Sequence, residues 1–230
     1  MRKISIAFLI GLILSSCIAN RKISYQLNDV PKKNNAKLST LVFDVELFDD
    51  VRKSNGEEDV LFTHPRSTKI LNERVCINSE QHYKKSPVNY QFSKVISDYF
   101  RHQSLYKAVT FNKKDTADYY LTANLKRFYG NQDFSMDAAI GAQFGLIGAL
   151  ATANAKTKGT VEIELSDMKL FDKKGHLIKG LGNFKRTYAE NYHADGYCWC
   201  IYSNVNEKFK SFTGELSQLI ESSLSEELSK

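Results

Sequence analysis

The sequence predicts an α+β domain, a mostly antiparallel sheet packed by two main helices. Stretches such as Leu41–Phe48 and Thr160–Ile178 alternate apolar and polar residues with period two, the pattern of half-buried strands. Two other stretches, about 88–103 and about 203–228, repeat their apolar residues at helical spacing. Lys174-Gly175 marks a tight hairpin turn between two such strands, and a turn that short joins antiparallel neighbours.

The chain opens with Arg2 and Lys3, followed by an apolar run from Ile4 to Leu14 and then Ser15-Ser16-Cys17. A basic start, an apolar core and small residues at the end read as a secretory signal peptide over residues 1–16. The run is too short to span a bilayer, which needs about 20 apolar residues. Leu14-Ser-Ser-Cys17 reads as a lipobox, with Cys17 acylated as the new N-terminus, so the expected membrane relation is anchored rather than spanning. Ile18 follows that cysteine in place of an aspartate, which points to the periplasmic face of an outer membrane. Removing residues 1–16 takes Arg2 and Lys3 with it and lowers the formal charge from +6 to +4. Lysine pairs at 32–33, 84–85, 113–114 and 173–174 each sit beside turn residues and read as solvated loops, not as a nucleic-acid surface.

Residues 17–37 are polar and turn-rich and read as a lipidated cysteine with its tether, Tyr25-Gln-Leu27 being a short strand candidate within it; 38–230 forms the domain. In Leu41–Phe48, Leu41, Phe43, Val45 and Leu47 share one face, with Asp44 and Glu46 on the other, solvated one. Residues 49–59 form a charged loop, and 59–63 and 68–78 are further strand candidates. Pro87 suits a helix start, and Val88, Phe92, Val95, Ile96, Tyr99 and Phe100 recur at helical spacing after it. Strands are expected over 106–111 and 117–130. Along 160–178 the apolar phase shifts by one between Leu165 and Met168, which predicts a bulge near Ser166-Asp167. The return strand covers 182–193, and Val205, Phe209, Phe212, Leu216, Leu219, Ile220 and Leu224 mark the apolar stripe of the last helix.

With Cys17 acylated, three cysteines are left: Cys76, Cys198 and Cys200. An oxidising compartment favours a disulfide of Cys76 with Cys198 or Cys200 and one thiol left over. His193, Cys198 and Cys200 lie within eight residues, but no fourth metal ligand accompanies them, so neither a metal nor another cofactor is expected. No nucleophile elbow, zinc-helix motif or P-loop is present, and no enzymatic activity is expected. The 12 Tyr and 14 Phe read as core packing or as an aromatic-lined groove for an acyl chain or a sugar.

Ala138–Ala155 has 18 residues without a charge. It holds too few strongly apolar residues to span a bilayer. Wound as a helix, it sets Gly141, Gly145 and Gly148 in a smooth stripe beside a bulky one containing Ile140, Phe144 and Ile147, with Leu150 close by. These seven residues are the expected contact with a partner or a membrane.

The acylated cysteine, an early Tyr25-Gln-Leu27, the stretch Tyr99–Val109, then Ala117–Phe128 and the strand Val161–Asp172 together resemble the auxiliary lipoproteins of bacterial ABC-type lipid transport systems. Related outer-membrane lipoproteins with a lipopolysaccharide-assembly-like α/β domain share much of this order. The resemblance implies a non-catalytic binding or bridging component of the cell envelope, with a protein partner or a homo-oligomer and lipid as cargo. The alternative is a structural outer-membrane lipoprotein that oligomerises or inserts residues 138–155 into a membrane.

Overall fold

The computed structural model describes residues 22–52, 75–77, 87–133, 154–193 and 200–229, together with Asp137, Gly141, Phe144, Ile147, Gly148 and Leu150; for 75–77 and Cys200 it describes the backbone alone. The elements are β1 (Val42–Val45), β2 (Asp49–Asp50), β3 (Val75–Ile77), α1 (Val88–Gln103), β4 (Ala108–Phe111), β5 (Tyr119–Asp133), β6 (Lys156–Asp172), β7 (Leu177–His193) and α2 (Cys200–Glu227). They form the expected α+β fold, a mixed sheet in the order β4-β1-β5-β6-β7. β1 runs parallel to both β4 and β5, whereas the long β5-β6-β7 ladder is antiparallel. β2 and β3 follow β1 along the same side of β5.

Each long element shows its cause in the sequence. Pro87 precedes α1 with φ −52°, and the helix stops where Ser104 turns left-handed at φ 57°. Its apolar stripe, Val88, Phe92, Ile96, Tyr99 and Phe100, is buried. Two serines on that face make specific ties: Ser93 Oγ accepts Phe48 N–H at 3.0 Å, and Ser97 Oγ donates to Thr110 O at 2.9 Å. Val205, Phe209, Phe212, Leu216, Ile220 and Leu224 of α2 are fully buried. Phe209 is the centre of the core. It stacks on Phe92 of α1 at 4.3 Å and meets Phe128 of β5 edge-on at 5.4 Å. The expected bulge is present: the β6–β7 register passes from Leu165↔Phe184 to Met168↔Gly182, and Asp167 in the extra position has φ 50°.

Four expectations meet a different structure. The alternation after Val45 breaks, because β1 ends there; Leu47 is 40% exposed and Phe48 turns into the core. Asp44, expected on a solvated face, is fully buried, because its strand lies between two others and Lys113 folds across it.

The polar segment 22–37, expected as a tether with a strand at Tyr25–Leu27, forms no strand there and instead lies along α2. Its contacts run in order. Lys22 O accepts Asn206 Nδ2 at 2.8 Å, Asp29 pairs with Lys210, Lys33 with Glu221, Asn35 Nδ2 donates to Ser225 Oγ, and Lys37 Nζ donates to Ser229 Oγ. Ile23 and Val30 of this strap are themselves buried, and Tyr25 meets Phe209 edge-on at 5.4 Å.

The expected disulfide is also corrected: none is present among the described residues. Where β5 and β7 end against the first turns of α2, polar and packing contacts make the junction instead. Asn204 Nδ2 donates to Gln132 Oε1 at 2.9 Å and to His193 O at 3.1 Å, and Gly130 lies directly against Val205. Cys198, the signal peptide and Cys17, and the strand candidate 59–63 lie outside the described residues.

Candidate functional site

The feature that packing does not absorb is the connection between β5 and β6. Asp133 ends one 15-residue strand and Lys156 begins a 17-residue one, so whatever joins them is carried at the tip of a long hairpin. Gly141 and Gly148 are buried there and touch each other. A Cβ on Gly148 would fall 1.9 Å from Gly141 O and 2.8 Å from Phe144 Cβ, a space that glycine alone can occupy. Phe144 N–H donates to Gly141 O at 3.0 Å and so ties the turn between them. Outside this knuckle stand Phe144, Ile147 and Leu150, 70%, 80% and 69% exposed. Among the described residues these are the most exposed large hydrophobic side chains.

The seven residues of this segment were expected to meet a partner or a membrane from a helix or a helical hairpin. Gly141 and Gly148 instead spend their smoothness on each other, which leaves Phe144, Ile147 and Leu150 as the outward surface. Ile140 and Gly145 lie outside the described residues. The three lie within seven residues of sequence around the Gly141–Gly148 contact, so one short segment carries them.

Among the described residues that flank the knuckle in the chain, exposed charges of the two signs match. Asp133 and Asp137 on one strand's approach are exposed, as are Lys156 and Lys158 on the other. Beside them the sheet carries a shallow open depression lined by Asn131, Asp133, Lys158, Thr160, Glu190 and Asn191. Gly159 and Ala189 complete its lining, so polar side chains and apolar surface share it. Among the described aromatics, Phe43, Phe48, Phe92, Phe100, Phe128, Phe209 and Phe212 are fully buried in the core, whereas Tyr90 and Phe144 are exposed.

The closest approach to acid–base chemistry is at Asp44. Thr110 Oγ1 donates to Asp44 Oδ1 at 2.5 Å and Lys113 N–H donates to the same oxygen at 3.1 Å. Asp44 Oδ2 is buried without a hydrogen-bond partner. Glu46 stands beside it, its carboxyl held above the ordinary range by burial first and then by the Asp44 carboxylate, against the lowering effect of Lys114. Asp44 thus ties β1 to β4 and to the loop after β4, with no open cleft in front of it. Among the described residues no three His, Cys, Asp or Glu side chains cluster as a metal would require. His193 is exposed, and its carbonyl is engaged by Asn204. No helix among the described residues is long and apolar enough to cross a membrane.

No family model matches the chain, and no curated protein matches it. Among solved structures, a Xanthomonas campestris protein described under the family-model DUF330 is similar at 12% identity and a TM-score of 0.42, over 87% of this chain and 96% of that one. A likeness at that level carries no argument about fold or activity.

Proposed function

We propose that this chain is a lipid-anchored, non-catalytic component of the cell envelope that works by contact, in an auxiliary role to lipid transport. The location rests on the basic-apolar-small order of residues 1–16 and the lipobox cysteine Cys17. The transport role rests on the order of motifs from Tyr25 to Asp172. The observation that carries the working surface is the triad Phe144, Ile147 and Leu150, held outward on a glycine-locked turn.

Soluble domains rarely leave three large neighbouring apolar side chains in water unless something covers them. Full burial of each contributes about 1.5–3 kcal/mol, and the fractions exposed reduce the sum for three to about 3–7 kcal/mol. That is comparable to the marginal hold of one short acyl chain, so the triad adds to a lipid anchor without replacing it.

A photo-crosslinking residue at position 147 of the full chain, in native membranes, tests this reading. Adducts with lipid or with a specific protein are the expected result. Water-quenched reporter with no adduct would refute contact through the knuckle.

A further inference from the structure

Two features at one end of the molecule bear on which surface the knuckle meets. The first is where the N-terminal strap begins. Lys22 is tied to Asn206 near the start of α2, and the strap then runs alongside the helix to Lys37 at its C-terminal end. The described chain therefore begins at the N-terminal end of α2. The second is where the hairpin tip lies. Asn204, two residues before Asn206, holds Gln132, the penultimate residue of β5, and His193, the last residue of β7. β5 leads out to the knuckle, and β6 returns from it, at that same end.

From Cys17 to Lys22 there are five steps along the chain, at most about 18 Å when fully extended. An acylated Cys17 thus holds this end of the domain against the bilayer. The opposite end of the sheet, the Asp172–His176 turn, lies on the order of 50 Å away along the 17 residues of β6.

On the reading of Cys17 as the lipid anchor, we infer that Phe144, Ile147 and Leu150 rest in the same bilayer that holds the acyl chains, so that the sheet stands end-on to the membrane. The occupant of the apolar cluster is the anchoring membrane itself. The matched described charges that flank the knuckle, Asp133 and Asp137 against Lys156 and Lys158, fit an apolar contact that is little affected by anionic headgroups. Any partner that bridges to a second surface then meets the far end, around the β6–β7 turn and the C-terminus of α2.

The test uses full-length acylated protein in nanodiscs of lipid brominated along its acyl chains. Trp199, the one tryptophan of the chain, is replaced by Phe, and a reporter is placed by Phe144→Trp or by His176→Trp. Both positions are exposed, so neither reporter disturbs the core. The Phe144→Trp emission should fall at least about twofold, because an apolar side chain resting in an interface reaches about 5–10 Å into it. The His176→Trp emission should be unchanged. Equal quenching at both positions, or at neither, overturns the inference. Quenching of Phe144→Trp only by brominated vesicles added to unbrominated nanodiscs also overturns it, yet leaves the knuckle as a contact surface for another membrane. No quenching, combined with no crosslink from position 147, defeats both readings.

Discussion

Replacing Phe209 by alanine separates the side chains that build the domain from those it presents. Phe209 is fully buried, stacked on Phe92 at 4.3 Å, and edge-on to Phe128 and to Tyr25, both at 5.4 Å. One ring thus joins α2 to α1, to the sheet and to the N-terminal strap. Truncating a buried Phe costs about 3–5 kcal/mol, and loss of its aromatic pairs places this site toward the upper part of that range. For a domain of this size each kcal/mol lowers Tm by about 2–4 °C, so a drop of roughly 8–20 °C is expected. The parallel substitution Phe144→Ala removes a ring that is 70% exposed and should change stability by less than about 0.5 kcal/mol. Urea unfolding followed by circular dichroism measures both, with unchanged slopes confirming that the difference is one of stability. A loss below about 1 kcal/mol at Phe209, or a loss at Phe144 as large as that at Phe209, would refute this division.

Two further outcomes follow from particular contacts. Gly130→Ala would place a Cβ 2.4 Å from Val205 Cγ2 and should cost about 1–3 kcal/mol. Val205→Ala in the same chain should recover part of that loss in urea unfolding, and the absence of any recovery would place the strain elsewhere. Glu46 has a folded-state pKa raised by burial and by Asp44, so the folded state holds its proton more tightly than the unfolded state. Its contribution to stability is therefore greatest in acid and falls as the pH rises from the ordinary glutamate value through the raised one. Glu46→Gln should stabilise the protein at neutral pH and flatten that part of the profile, as read from Tm across pH 4–8. A destabilised variant at pH 7 would contradict the assignment.

What the sequence made legible was local. The bounds of α1 follow from Pro87 and from an apolar spacing contained within one segment, and the bulge at Asp167 follows from a phase shift visible over a few residues. What it hid depended on partners distant in the chain. Asp44 reads as solvated until β1 is placed between the parallel strands β4 and β5, a pairing that no local pattern announces. The strap reads as loose because its residues are polar, and the groups that fasten it lie about 70 residues away on α1 and more than 180 residues away on α2. The glycine spacing at the knuckle was legible, but its use was not. That Gly141 packs against Gly148 follows from the turn at Phe144, and the side chains left exposed there are the apolar ones.

The most direct measurement is the partitioning of the chain lacking residues 1–17 onto zwitterionic vesicles, with and without the combined substitutions Phe144→Asp, Ile147→Asp and Leu150→Asp. Without acyl chains, only contacts made by the protein itself hold it there. Losing at least about 3 kcal/mol of apolar transfer predicts that the substituted chain binds at least about 100-fold more weakly while unfolding at the same urea concentration. Equal partitioning of the two proteins, or no measurable binding by the unsubstituted chain, would contradict the claim that the knuckle is a membrane-contacting surface.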